Sequence, residues 1–109
     1  MPSLTDIAAA LREHSPGALP ESLTIEDNCG APGLYAHGVY LHDDIAAAVL
    51  RDAMTQSIAP NAVLIRTEDA YRLDTLDGNR EKWFHDSDHG GSLGACYQAW
   101  RWSKGLPAA

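Results

Sequence analysis

Two adjacent rows of apolar residues in the middle of the chain constrain its fold more than any other feature. The rows repeat every fourth residue and comprise Ile45, Val49, Ala53 and Leu50, Met54, Ile58. This spacing predicts an amphipathic helix with a broad apolar stripe. Asp43 and Asp44 precede the stripe, where a carboxylate favours a helix start, and Pro60 ends it. Because the stripe must be buried on another layer, the rest of the chain has to supply one.

Turn-forming residues divide the first part of the chain into short elements. Candidate N-caps at Ser3 and Thr5, with apolar residues at helical spacing, predict a first helix that ends near His14. Alternation and β-branched or aromatic content predict strands at residues 22–26 and 34–42. The residues between them, 27–33, are mostly turn formers and are predicted to be a loop.

The second part of the chain reads as a sheet followed by a helix. It is predicted to hold a central strand at residues 62–66, a β-hairpin that turns at Asp77-Gly78-Asn79, a loop at residues 86–91 and a last helix that Ser92 caps. Segregated helices and antiparallel strands predict an α+β fold. We expect a small single domain over residues 1–109, with three helices packed on a mainly antiparallel sheet of four to five strands.

Composition places the chain in a broad class. With 109 residues, of which 45% are apolar, it has material for one ordinary core. No apolar run approaches the roughly 18 to 20 residues of a membrane helix. Two cysteines, Cys29 and Cys96, cannot form a disulfide framework, although whether they pair stays open. We therefore expect a cytoplasmic protein that contacts no membrane and needs no cofactor.

Negative charge is concentrated in the first part of the chain. Of the net −7, residues 1–60 carry −6, from eight acids and two arginines. Such a segment attracts basic partners and repels nucleic acid, although charge of this size also serves solubility alone. The candidate partner-binding residues are Glu26, Asp27, Asp43, Asp44, Asp52 and Trp102. Trp102 is included because a tryptophan on a helix surface is typical of interaction hot spots, the alternative being that it packs internally.

One short segment has the composition of a metal site. The residues are His85, Asp86, Asp88 and His89, and imidazole and carboxylate both suit zinc or manganese. The alternative is a polar surface loop whose aspartates make local turn hydrogen bonds. No nucleophile elbow, P-loop or H-E-x-x-H motif is present in the sequence, so no catalytic residue is predicted.

The end of the chain carries a resemblance. Residues 71–105 combine a tryptophan-bearing hairpin, a polar glycine-rich loop and the closing segment SLGACYQAWRWSKG. This order resembles small acidic accessory proteins of phages and prophages, some of which form an α/β/α sandwich. The resemblance implies a host-directed inhibitor of anti-CRISPR-like or DNA-mimic type and supplies no catalytic residues.

These observations favour a non-enzymatic, acidic interaction module that binds a protein partner through the partner's basic or nucleic-acid-binding surface. Two alternatives remain open. One is a small metal- or ligand-binding domain that uses residues 85–89, with a hydrolase as one form of it. The other is a structural homo-oligomer, such as a homodimer, built around Trp100 and Trp102.

Overall fold

The structure is a computed structural model that describes residues 2–58, 60, 62–76 and 80–109. Its helices are α1 (Leu4–His14), α2 (Asp43–Ile58), α3 (Asp86–His89) and α4 (Ser92–Ser103). Its strands are β1 (Leu23–Asn28), β2 (Ala31–Ala36), β3 (Val39–Tyr40), β4 (Ala62–Arg66), β5 (Ala70–Thr75) and β6 (Glu81–His85). They form two compact units, a first unit of Pro2–Ala53 and a second unit of Met54–Ala109, divided within α2.

Helix α1 begins and ends where the sequence predicts. Ser3 Oγ accepts the backbone N–H of Asp6 at 3.1 Å, and the Asp6 carboxylate accepts the N–H of Ser3 at 3.2 Å. This reciprocal capping box satisfies two N–H groups that a helix start leaves without partners. Ile7 and Leu11 are fully buried, so the cap fixes the start of a helix whose apolar face lies in the core.

The first sheet is a β1-β2-β3 meander with two tight turns. Cys29 and Gly30 both have positive φ, and so do His37 and Gly38. Two residues with positive φ between paired strands form the type I′ turn, which suits the twist of a hairpin. The predicted loop at residues 27–33 was therefore wrong, because only two of its residues form a turn. The strand predicted at 34–42 is two strands, which the second turn separates.

Helix α2 confirms the prediction from the apolar rows only in part. Ala46, Leu50, Met54 and Ile58 are buried, but Ile45 keeps 50% of its surface exposed. The buried stripe is narrower than the two predicted rows, because a helix that packs on one side buries about one row and its immediate neighbours.

The second sheet has the order β4-β5-β6, with antiparallel pairs throughout. Strand β4 occupies the predicted residues 62–66, but it lies at an edge of this sheet, whereas β5 is central. The apolar run suggested a central strand, yet Val63 is 46% exposed. Strands β5 and β6 form the predicted hairpin, and the turn at Asp77-Gly78-Asn79 lies outside the described residues.

Helix α4 packs on β5 and β6 and supplies the core of the second unit. Trp100 and Cys96 are fully buried, as the apolar face predicts. The N-cap is Gly91, not the predicted Ser92, and it makes no side-chain cap hydrogen bond. Both cysteines are free, with Cys29 exposed and Cys96 buried. The predicted loop at 86–91 contains the short helix α3, which ends at Gly90 in the left-handed conformation.

The fold is α+β, as the sequence predicts. Its predicted details were wrong, since the described residues form four helices and two three-stranded antiparallel sheets. The error arose at residues 23–40. Two turns that were not predicted make this segment a three-stranded meander, and α2 lies between the meander and β4 in the sequence. The single domain over residues 1–109 stays a prediction. No helix within the described ranges has the length and apolar content needed to cross a membrane.

Candidate functional site

The acidic residues of the first unit all lie at its surface. Eight carboxylates, from Asp6 to Asp52, are exposed, against two arginines in the same unit. Of these arginines, Arg12 donates from its guanidinium to the backbone carbonyl oxygens of Pro20 and Leu23. Its charge is therefore used to hold the segment that follows α1. The first unit has a formal charge of −6, and its surface attracts cations.

One face of the first sheet places tyrosines beside these carboxylates. In the strand register Tyr35 lies opposite both Thr24 and Tyr40, and Glu26 lies opposite Gly33. The rings of Tyr35 and Tyr40 meet edge to face with centroids 5.5 Å apart. Directly opposed residues share one face of a sheet, so Glu26 and the two tyrosines form one continuous surface.

Gly33 allows the ring of Tyr40 to lie close against strand β2. A Cβ atom at this position would lie 2.9 Å from Tyr40 Cε1, closer than carbon atoms pack. The ring of Tyr40 therefore lies on the backbone of β2, in the space that a side chain would occupy. A glycine within a strand often marks such a close approach.

Charge and burial act together on Tyr35. Partial burial raises the pKa of its phenol, and the nearby Glu26 carboxylate raises it further. The phenol stays protonated at neutral pH, and it donates to the backbone oxygen of Asp27 at 3.4 Å. Glu26 in turn accepts from the Thr24 hydroxyl at 2.6 Å, which orients its carboxylate.

A groove of about 280 Å³ continues this surface toward the start of α2. Tyr40, Gly33 and Asp43 line it together with the hydroxyl-bearing residues Ser3 and Thr5. We call Glu26, Tyr35, Tyr40 and Asp43 the acidic–aromatic face. Carboxylates beside exposed aromatic rings can bind ammonium and guanidinium groups, through charge-assisted hydrogen bonds and cation–π contacts.

The structure brings together only some of the predicted partner-binding residues. Glu26 and Asp43 belong to the acidic–aromatic face, whereas Asp27 lies opposite Pro32 in the register, on the other face of the sheet from Glu26. Asp44 and Asp52 are exposed on α2, and neither lines the groove. Trp102 belongs to the second unit and is half-buried.

Three of the four residues of the predicted metal site contact other side chains, and the fourth, Asp88, is exposed. Asp86 accepts two hydrogen bonds from Arg66, each of 2.7 Å. This pairing lowers the pKa of the Asp86 carboxyl. The His85 ring stacks on Trp83, with centroids 6.0 Å apart and planes 12° apart, and the His89 ring lies 6.0 Å from that of Phe84. Among the described residues, no three His, Cys, Asp or Glu side chains are grouped to hold a metal ion.

The residues that give the acidic–aromatic face its shape were not predicted from the sequence. Tyr35 and Tyr40 were assigned to one strand, so their pairing was not foreseen. The signal was present, since a residue-glycine pair between aromatic and β-branched residues is typical of a two-residue hairpin. Such a turn at His37-Gly38 places Tyr35 opposite Tyr40.

Comparisons with protein-family models, with curated proteins and with solved structures found no match to this chain.

Proposed function

We propose that the chain is a non-enzymatic interaction module whose acidic–aromatic face binds a basic surface of a protein partner. The observation that carries the proposal is the position of Glu26 and Asp43 beside the paired rings of Tyr35 and Tyr40. Tyrosine is enriched at protein interfaces because a rigid ring buries a large area at low entropic cost.

Charge supports the choice of partner. A unit with a formal charge of −6 accelerates association with a basic protein and repels anionic surfaces. A basic patch is the electrostatic footprint of a protein that binds nucleic acid. In its sharper form the proposal is that the chain occupies a nucleic-acid site of its partner, as anti-CRISPR-like and DNA-mimicking inhibitors do.

The experiment is capture of binding proteins from lysate on the immobilised chain, followed by affinity measurements with the purified partner. The test variant is Glu26→Gln combined with Asp43→Asn. The matched control is Glu13→Gln combined with Glu21→Gln, which removes the same charge from the same unit but outside the face. Because Asp43 also lies in the first turn of α2, circular dichroism melting must show that both variants fold.

We expect the test variant to weaken binding about tenfold or more at low salt, as loss of charge-assisted contacts does. The control should lose only the general attraction, about two- to threefold. Equal effects of the two variants would assign binding to net charge and remove the acidic–aromatic face from the proposal. For the sharper form, the chain must displace a DNA oligonucleotide from the partner, and simultaneous binding of DNA and chain would contradict it.

A further inference from the structure

Among the described residues of the second unit, three cations without an acidic partner lie around one tryptophan or its cavity. Arg66 pairs with Asp86, and Arg72 pairs with Asp74 at 2.9 Å. Arg101 donates to the Pro107 oxygen at 2.6 Å and to the Tyr97 hydroxyl at 3.1 Å. The remaining bases of this unit are Arg80, Lys82 and Lys104. In the described part of the chain, none of them has a carboxylate within salt-bridge distance.

Strand register and helix position bring Arg80 and Lys82 to Trp102. Arg80 and Lys82 are two residues apart, so they point to the same side of the β5–β6 hairpin, the side of Leu73 and Phe84. That side faces α4. Arg80 Cζ lies 5.3 Å and Lys82 Nζ lies 5.4 Å from the centroid of the Trp102 ring.

A cavity of about 540 Å³ opens beside this tryptophan, entirely within the second unit. Arg80, Trp102 and Lys104 line it, with Thr75 adding a hydroxyl and Leu73 an apolar wall. Lys104 is held in position, because its Nζ donates to the backbone oxygen of Ser57 at 2.7 Å. The volume lies in the range of pockets that bind small molecules.

The lining defines the chemistry of a ligand. The guanidinium of Arg80 can bind a phosphate through two parallel hydrogen bonds, and the ammonium of Lys104 adds a second positive charge. Trp102 and the guanidinium plane offer flat surfaces on which an aromatic ring stacks. A polyanion is disfavoured by the net charge of −7, whereas a single phosphate group is repelled far less.

We propose that this cavity is a binding site for a small phosphate-bearing aromatic molecule, of the class of a nucleoside monophosphate. The site lies in a different unit from the acidic–aromatic face, and it does not rest on the proposed interaction with a basic partner. The Glu26→Gln and Asp43→Asn changes should leave it intact, so failure of one proposal is distinguishable from failure of the other.

The test uses the full chain labelled with ¹⁵N, in which the indole N–H signal of Trp102 is assigned by Trp102→Phe. Adenosine 5′-monophosphate, adenosine and sodium phosphate are titrated separately. We expect a saturable shift of the Trp102 signal with the monophosphate, and an affinity for adenosine lower by about tenfold or more, because adenosine makes no charge-assisted bond.

Variants identify the cations responsible. Arg80→Gln and Lys104→Gln should each weaken binding of the monophosphate by about tenfold or more. Arg72→Gln removes the same charge from β5, and because Arg72 pairs with Asp74 and does not line the cavity, it should leave the affinity within about twofold. Melting curves confirm that each variant is folded.

Three outcomes would overturn the proposal. The first is the absence of a saturable shift of the Trp102 signal at monophosphate concentrations up to about 10 mM, because a specific site would saturate below that concentration. The second is phosphate binding as tight as that of the monophosphate, which would make the cavity the site of an adventitious ion only. The third is tighter, strongly salt-dependent binding of a single-stranded oligonucleotide, which would indicate a surface for a polymer.

Discussion

The pairing of Asp86 with Arg66 predicts a pH-dependent contribution to stability that requires no metal ion. The two hydrogen bonds are 2.7 Å long, and the side chains retain 37% exposure for Arg66 and 25% for Asp86. Two unit charges about 4 Å apart attract by about 1 kcal/mol where water screens them. Holding two side chains in one geometry offsets part of this attraction. We therefore expect a coupling free energy of about 0.5–1 kcal/mol at pH 7.

A double-mutant cycle in urea measures this coupling. It compares the natural chain with Asp86→Asn, Arg66→Gln and the double variant, with unfolding followed by tryptophan fluorescence. Asp88→Asn is the matched control, since it makes the same chemical change two residues away. Asp86→Asn should lower the free energy of unfolding by about 1 kcal/mol, and Asp88→Asn should stay within about 0.5 kcal/mol.

The pH dependence follows from the direction of the pKa shift. Arg66 lowers the pKa of Asp86 in the folded state, whereas an unfolded aspartate titrates at about 3.9. The stabilisation is therefore complete above the unfolded pKa and disappears as pH falls through the lower folded pKa. A coupling of zero at pH 7, or one that persists after the carboxyl is protonated, would refute the pairing. A shift of the natural chain's unfolding midpoint on addition of chelator would show that a metal holds this segment instead.

Three further perturbations test the first unit and the two thiols. Gly33→Ala should destabilise the chain by about 1–3 kcal/mol in urea unfolding, because the new Cβ overlaps the Tyr40 ring; an unchanged midpoint would contradict the close contact. Ser3→Ala should lower the free energy of unfolding by about 1 kcal/mol, measured by thermal melting, because α1 loses its capping box. Ser3→Asp should retain most of the stability, because aspartate is also a favoured N-cap residue. A thiol reagent should label Cys29 rapidly in native buffer and Cys96 only in denaturant, since one is exposed and the other buried; rapid labelling of both would place Cys96 outside the core.

Periodicity predicted the long elements of this fold, because a helix face must be buried whatever its neighbours are. The extent of α1 and the burial of Trp100 on α4 follow from apolar spacing within a single element. Strand pairing depends on turns, and the turns of the first sheet were not predicted from the sequence. Cys29-Gly30 lacks the Asn or Asp that usually marks a type I′ turn, so the turn was read as a longer loop.

The candidate sites were harder to predict for a related reason. Acidic residues are visible in the sequence, but Tyr35 and Tyr40 become neighbours only through the register of β2 and β3. Arg80 and Lys82 also look unremarkable until the β5–β6 hairpin places them beside Trp102. Local pattern predicts which residues are charged or buried, whereas tertiary contacts decide which of them meet.

The net charge of −7 is the sum of two different distributions, and salt should separate them. The first unit carries −6 on exposed side chains, whereas the second carries −1 and places Arg80, Lys82 and Lys104 around Trp102 and the cavity beside it. Attraction between exposed charges is screened beyond about 8–10 Å at physiological salt, but contacts inside a cavity are screened less. Raising the salt concentration from about 0.05 to 0.5 M should therefore weaken partner binding at the acidic–aromatic face more than monophosphate binding beside Trp102. Both affinities can be measured on one protein by titration calorimetry. An equal loss at the two sites would mean that the monophosphate binds by diffuse attraction to exposed cations, and that the cavity itself contributes nothing to its recognition.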